Sequence, residues 1–270
     1  MKIIKTKLNY LNQETNALIF LPEIGVDDTS EVKSTFAVFT HGYTADKSSI
    51  INWPIRLAEA GVSSILFDLP GHYLGTFSEV LDFDHFKNHA HELFYQGFLK
   101  LKAAFIEEFP LFEHYLETNH CKLILGGHSL GAMLSLKALM MNEFSSYEKR
   151  SISVGLGMAP KNSVHLFDTP FYKSTLRVRA QLVSPALAPE NVFPWIREEK
   201  QIMAISNQHV HLITGIDDVV VGDDGMERFL ESLLEKKNTA TMEKPTKLPH
   251  HEPQLAAPHI KKYLKKINWT

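Results

Sequence analysis

Short apolar, β-branched runs recur along the 270-residue chain, and helix-length spacers separate most of them. Eight strands are predicted, at 2–8, 17–21, 36–41, 63–68, 122–126, 152–158, 210–214 and 243–248. The first two are close enough for an antiparallel hairpin, and from the third onward the spacers have helical periodicity. Repeated strand–helix–strand units force right-handed crossovers and a parallel sheet covered on both faces. The sequence therefore predicts a three-layer α/β fold with a mostly parallel, eight-stranded sheet and helices on both faces.

One long segment, 161–208, departs from this alternation. Connections longer than about 12 to 15 residues usually have a role of their own, so we expect a small cap or lid inserted into a single domain spanning 1–270. The segment carries five aromatic residues, and we expect one or two of them to line a substrate pocket. They are Phe167, Phe171, Tyr172, Phe193 and Trp195.

Charge and cysteine content restrict the partners and the location that we expect. The chain has 28 Lys and Arg against 31 Asp and Glu, so no basic surplus is available to bind nucleic acid. The single cysteine, Cys121, cannot form an internal disulfide, which favours a reducing compartment. No apolar run reaches the roughly 20 residues that cross a bilayer, and no secretory signal precedes the first strand. We predict a cytoplasmic protein without a membrane span, and we leave a homodimer open.

The residues with the clearest chemistry lie at 127–131, where Gly-His-Ser-Leu-Gly joins an apolar strand to an apolar helix. A serine at such a turn adopts a strained backbone that lifts its hydroxyl clear of the sheet. The residues two before and two after it crowd together, and both are glycine here. The following helix directs its amino end at the serine, where free N–H groups favour negative charge. Ser129 is therefore the predicted nucleophile.

The chain resembles the α/β-hydrolase superfamily over nearly its whole length. The resemblance rests on five segments in the family's order, at 39–43, 67–72, 127–131, 214–218 and 249–253. It implies a serine esterase or lipase-like enzyme with a catalytic triad in the chain order Ser, Asp, His. A serine hydroxyl needs a base to take its proton, and a carboxylate must hold that base in one tautomer.

The sequence offers two adjacent residues of the same type for the acid of the triad, and two for its base. For the acid, the family's Gly-x-x-Asp spacing after the seventh strand selects Asp218 over Asp217. For the base, the His-x-Pro spacing ahead of the last helix selects His251, and His250 is then expected to point elsewhere. Each of the two rejected residues remains an alternative.

The resemblance also supplies an oxyanion hole, formed by the backbone amides of Tyr43 and Leu130. We expect a small-molecule carboxylic ester or thioester as substrate and an acyl-enzyme intermediate, with no cofactor. Epoxide hydrolases and haloalkane dehalogenases of the family use an aspartate at the turn, which Ser129 excludes. A peptidase or acyltransferase with the same triad stays open, as does a non-catalytic binding protein. No metal site is expected, because the histidines at 85, 89 and 91 do not share one helical face.

Overall fold

Residues 1–23, 34–118, 121–159 and 169–270 are described by the structure, which is a computed structural model. Its eight strands form one sheet, as the sequence predicts. They are β1 (Lys2–Tyr10), β2 (Gln13–Leu21), β3 (Thr35–Thr40), β4 (Ser63–Phe67), β5 (Lys122–His128), β6 (Glu148–Val154), β7 (His209–Ile213) and β8 (Thr239–Glu243).

The strands follow the order β1-β2-β4-β3-β5-β6-β7-β8 across the sheet. β1 and β2 form the predicted antiparallel hairpin, and β2 also runs antiparallel to β4. Every pair from β4 to β8 is parallel. The carboxyl ends of β3 to β8 therefore lie at one edge of the sheet, where ligands bind in open α/β sheets.

Helices cover both faces of the sheet. They are α1 (Asn52–Ala58), α2 (Phe83–His89), α3 (Leu93–Glu108), α4 (Glu113–Thr118), α5 (Leu130–Leu139), α6 (Pro170–Arg179), α7 (Pro189–Ile202), α8 (Gly225–Glu235) and α9 (Ala257–Lys266). All six residues of β3 are buried, and its side chains alternate between two cores. Phe36 packs with α3 residues in one core, and Phe39 packs edge-to-face on Trp53 of α1 in the other. This confirms the three-layer architecture.

Two strands lie earlier in the chain than their predicted bounds. The sixth was expected at 152–158 but lies at Glu148–Val154, because the buried residues 155–157 that follow it give the later stretch its apolar character. The last strand was expected at 243–248 but ends at Glu243, because Leu248 is buried in the loop that follows and gives that stretch its apolar character. β8 is an edge strand with mostly exposed side chains, so its apolar signal is weak. The aromatic-rich stretch between β4 and α3 includes α2, whose first turn is capped by the Asp82 carboxylate.

The segment between β6 and β7 contains α6 and α7 in its described part. Hydrogen bonds attach this segment to the loops after β3 and β4. The Tyr43 hydroxyl donates to the Leu187 carbonyl at 2.7 Å, and the Ser184 amide donates to the Gly71 carbonyl at 2.9 Å. α6 and α7 therefore lie beside the edge of the sheet that carries the strands' carboxyl ends.

Candidate active site

Ser129 lies between the end of β5 and the start of α5, in a sharp turn. Its backbone has φ 50° and ψ −109°, a left-handed conformation that is strained for a residue with a side chain. The Ser129 amide donates to the Val154 carbonyl at the end of β6, at 2.9 Å. The neighbouring strand thus holds the turn in place and presents the serine at the sheet edge.

The glycines on either side of Ser129 permit this turn. A Cβ atom on Gly131 would lie 2.5 Å from the His41 carbonyl oxygen and 2.6 Å from that of Thr40. A Cβ on Gly127 would lie 2.6 Å from the backbone of Gly131. Such approaches are closer than van der Waals contact allows, so the turn needs glycine at both positions, as the sequence argument required.

A chain of two hydrogen bonds joins Ser129 to His250 and Asp218. His250 Nε2 lies 3.2 Å from the Ser129 hydroxyl oxygen, and His250 Nδ1 lies 2.8 Å from Asp218 Oδ2. Both distances are suitable for hydrogen bonds. With Nδ1–H donating to the carboxylate, Nε2 is left as the acceptor for the serine proton.

His251, the histidine that the sequence argument selected, does not reach Ser129. Its side chain is 79% exposed, and its ring nitrogen lies 3.9 Å from Glu252. The Glu252 amide donates to the Pro249 carbonyl at 3.0 Å, so 249–252 form a tight turn. His250 and His251 are the two central residues of this turn; the His250 side chain faces Ser129, whereas the His251 side chain faces solvent. The expectation that His250 points elsewhere was therefore wrong.

Asp218 and Asp217 also point in different directions. Asp218 is 2% exposed, and its Oδ1 accepts hydrogen bonds from the amides of Val220 and Val221 at 3.0 Å each. These two donors fix the carboxylate and leave Oδ2 for His250. Asp217 is exposed, and its Oδ1 accepts from the Leu248 amide at 2.9 Å, which ties the loop after β7 to the loop after β8. The structure brings Asp218 to the histidine.

The backbone amides of Tyr43 and Leu130 are the donors expected to form an oxyanion hole at Ser129. Leu130 is the first residue of α5, so its amide has no acceptor one turn earlier in the helix. Tyr43 follows β3, and its buried ring makes edge-to-face contacts with His72 and Phe193. These contacts and the hydrogen bond to Leu187 hold the Tyr43 backbone beside Ser129. Tyr43 and Ser129 line the same two cavities.

Two further histidines near the turn are held neutral. Burial lowers the pKa of His41 to about 4, and His41 Nε2 accepts a hydrogen bond from the Leu69 amide at 2.9 Å. Burial, and then the charge of His250, lower the pKa of His128 well below its usual value. The His128 and His250 rings lie 4.7 Å apart, so a charged His128 would oppose a charge on His250. Neither histidine is placed to take the serine proton.

Two cavities open on Ser129, and both are also lined by Tyr43, Phe193 and His250. The large cavity has a volume of about 330 Å³ and extends toward α6 and the tip of the turn at His251. The small cavity has about 60 Å³ and extends along residues 155–159, which follow β6, toward α7. A substrate with two parts of unequal size fits this division, with its reacting carbon at Ser129.

Of the five aromatics of the segment between β6 and β7, Tyr172 and Phe193 line a cavity that contains Ser129. Trp195 is buried and packs edge-to-face against Phe83. Phe167 and the side chain of Phe171 lie outside the described part of the chain.

Metal binding finds no support among the described residues. No group of three or more His, Cys, Asp or Glu side chains in the described ranges could hold a metal ion. His85 is instead bonded to the Tyr10 hydroxyl at 3.0 Å, and His89 is paired with Glu92 at 2.8 Å. Within the same ranges, no helix is both long and apolar enough to span a membrane.

Comparison with known proteins identifies the family. A model of the alpha/beta hydrolase family matches residues 37–250, a span that includes Ser129, Asp218 and His250. This chain is an α/β hydrolase. No curated protein sequence matches it, and the three solved structures compared below are 13–15% identical to this α/β hydrolase.

Three solved structures illustrate the range of chemistry on this fold. A soluble variant of monoglyceride lipase from Saccharomyces cerevisiae is 15% identical, with a TM-score of 0.62, and the match covers 97% of this hydrolase and 94% of the lipase. An epoxide hydrolase from Vigna radiata is 13% identical, with a TM-score of 0.60 and 98% of each chain covered. An acylaminoacyl peptidase from Pyrococcus horikoshii is 15% identical, with a TM-score of 0.56. This hydrolase is covered over 99% of its length in that match but spans only 41% of the peptidase. At these identities the comparison establishes the fold alone.

Proposed function

We propose that this protein is a serine hydrolase that cleaves a carboxylic ester or thioester through an acyl-enzyme intermediate. The observation that carries the proposal is the hydrogen-bonded chain from Asp218 through His250 to Ser129. An isolated serine hydroxyl is a weak nucleophile, and a neighbouring imidazole held by a carboxylate is the arrangement that activates it. His250 takes the role that the sequence argument gave to His251.

The proposed reaction has two halves. In the first, the Ser129 hydroxyl oxygen attacks the carbonyl carbon of the ester while its proton passes to His250 Nε2. The Tyr43 and Leu130 amides donate to the resulting oxyanion. When the tetrahedral adduct collapses, the alcohol or thiol leaves with the proton from His250. In the second half, water gives its proton to His250 and attacks the acyl-enzyme, which releases the acid and restores Ser129.

Ester cleavage is favoured over epoxide opening because the residue at the turn is a serine and not an aspartate. A peptidase or acyltransferase would use the same three residues, and amide and acceptor-alcohol substrates assayed beside esters distinguish these activities. A non-catalytic binding protein is the alternative of another class.

α6 and α7 are the proposed cap, because Tyr172 and Phe193 from these helices line the large cavity. The cytoplasmic location and the single domain 1–270 stay predictions from the sequence, and a homodimer stays open.

A fluorophosphonate probe tests the proposal directly, because it forms a covalent bond only with an activated serine. The wild-type protein should be labelled once and should hydrolyse a nitrophenyl ester, while Ser129→Ala should lose both properties. Ser49→Ala is the matched control: Ser49 also lines the large cavity, but its hydroxyl donates to the Asp46 carbonyl at 2.7 Å. Labelling that survives in Ser129→Ala, or a wild-type protein that neither reacts nor hydrolyses esters, would refute the proposal.

A further inference from the structure

The small cavity beside Ser129 contains a buried lysine. Lys200 is 8% exposed, lines this cavity, and donates a hydrogen bond from Nζ to the Gly157 carbonyl, which lines it too. Lysine is almost never fully buried unless it is paired, because removing an ammonium group from water is costly. No carboxylate in the described part of the chain forms an ion pair with Lys200, and its bond to Gly157 uses one of its three N–H donors.

The surroundings of Lys200 increase this cost. Arg197 lines the same cavity one turn earlier on α7, and Arg228 of α8 lies near enough to act on the lysine charge. Burial, followed by the charges of Arg197 and Arg228, lowers the pKa of Lys200 to about 8. Arg228 itself is paired with Asp224 at 2.9 Å. Two basic residues, Arg197 and Lys200, thus line the cavity, and no described residue that lines it carries a carboxylate.

The position of Lys200 on α7 is also unusual. Val192, Ile196 and Lys200 follow each other at intervals of four residues and therefore occupy one face of the helix. This face is apolar where it meets the core, since Val192 is fully buried. Where the same helix face lines the small cavity, it carries the basic residue Lys200. A lysine at such a position costs stability, and a functional site is where such costs are found.

We propose that the small cavity binds a carboxylate group of the substrate, through the Lys200 ammonium group. This inference rests on the proposed ester hydrolysis, because it places the carboxylate on the same molecule as the ester that Ser129 attacks. A volume of about 60 Å³ limits the charged part of the substrate to a few heavy atoms. The substrate class is then a small ester or thioester of a dicarboxylic acid, or of a hydroxy acid, depending on which half of the ester enters the small cavity.

Two pairs of substrates test the charge and also distinguish the two halves. Monoethyl succinate and ethyl succinamate differ only in a carboxylate or amide on the acyl side. Acetoxyacetate and acetoxyacetamide differ in the same way on the alcohol side. In one of the two pairs, kcat/KM should be about 10- to 100-fold higher for the carboxylate, the range expected of a charge-assisted hydrogen bond in a buried site. Equal rates within both pairs would overturn the proposal.

Substitution of the lysine locates the effect. Lys200→Met should lose the preference for the carboxylate, so that the ratio of the two kcat/KM values within the pair falls to about one. Lys236→Met is the matched control, since Lys236 also donates to backbone carbonyls, of Gln201 and Met203, but does not line the small cavity. It should keep the preference. A Lys200→Met protein that retains the preference would assign the carboxylate to another group and overturn the inference.

The pH dependence gives a second readout in the unaltered protein. Lys200 is protonated below about pH 8, so the ratio of the two kcat/KM values should be highest there and fall as the pH rises through that value. His250 acts equally on both esters of a pair and cancels in the ratio, while Arg197 and Arg228 stay charged throughout. A ratio that stays constant from pH 7 to 10 would contradict the role of Lys200. This arm applies even if Lys200→Met does not fold.

Calorimetry separates a failure of this inference from a failure of the proposed hydrolysis. Succinate should bind to Ser129→Ala at least about tenfold more tightly than to the Ser129→Ala, Lys200→Met double variant, and succinamide should bind equally to both. If esters are cleaved but succinate binds both proteins equally, the carboxylate site is wrong and the hydrolase stands. If no ester is cleaved but succinate binding depends on Lys200, the anion site stands and the hydrolase is wrong.

Discussion

Replacing the two adjacent histidines one at a time gives the sharpest test of the site. In His250→Gln, the side chain keeps its approximate size but loses the ring nitrogen that lies 3.2 Å from the Ser129 oxygen and that accepts its proton in the proposed mechanism. It also loses the imidazolium that the Asp218 carboxylate, at 2.8 Å, would stabilise. Loss of the base of a serine triad lowers kcat by up to about 10⁶-fold, which corresponds to about 8 kcal/mol of transition-state stabilisation.

His251→Gln is the control for that substitution. The His251 side chain is 79% exposed and its nearest charged partner, Glu252, is 3.9 Å away, so its removal should change kcat/KM by less than about threefold. Both variants are assayed on a nitrophenyl ester, with Ser129→Ala as the background rate. Equal losses in both variants, or a larger loss in His251→Gln, would show that the histidines exchange places in solution and would refute the assignment of His250.

Three further outcomes are expected. Asp218→Asn should lower kcat by about 10⁴-fold through loss of the correct histidine tautomer, whereas Asp217→Asn should stay within about tenfold in the same ester assay. Gly131→Ala should lower the free energy of unfolding by about 3 kcal/mol in urea titrations, because the new methyl group would lie 2.5 Å from the His41 carbonyl; an unchanged midpoint would mean that the turn is looser than described. Lys200→Met should raise the melting temperature at pH 7, since the folded state no longer buries an ammonium group whose pKa it lowers to about 8. That gain in melting temperature should shrink as the pH rises above 8, because Lys200 of the folded wild-type protein then loses its proton and no longer buries a charge. A variant less stable than wild type at pH 7 would contradict the cost assigned to this charge.

The sequence predicted the central part of the fold because buried parallel strands have a strong signal. β3, β4 and β5 are apolar on both faces, and the segments that follow them are punctuated by glycine. β8 was misplaced because an edge strand is apolar on neither face along much of its length. In its case the buried Leu248 of the next loop gave a stronger signal than the strand itself.

The strained turn at Ser129 could be predicted because its local geometry requires particular residues nearby. Gly127 and Gly131 are needed where backbone atoms approach within 2.6 Å of a would-be side chain, and that requirement is visible in five consecutive letters. The choice between His250 and His251 has no such local signature. It depends on which way a turn at 249–252 faces, and that direction is set by contacts with the rest of the sheet.

The sequence pattern does not indicate a site at Lys200, for a different reason. A single lysine in a helix is ordinarily a solvated residue. Only its position, four residues after Ile196 and eight after Val192, marks Lys200 as lying on the apolar face. Its proposed role follows from its hydrogen bond to the Gly157 carbonyl, which joins α7 to the segment after β6. Such a meeting of distant segments has no trace in the local pattern.

The three side chains of the site follow three different strands, and this separation determines when a newly made chain can become active. Ser129 and His250 are 121 positions apart, and His250 follows β8 at the far edge of the sheet. Because synthesis proceeds from the amino end, β3 to β6 and the serine turn are made long before the histidine. A partly synthesised chain therefore holds a serine with no base, and on the proposed mechanism it is inert toward esters. In a refolding experiment, the return of hydrolysis on this mechanism accordingly requires the docking of the loop after β8 as well as the formation of the central sheet.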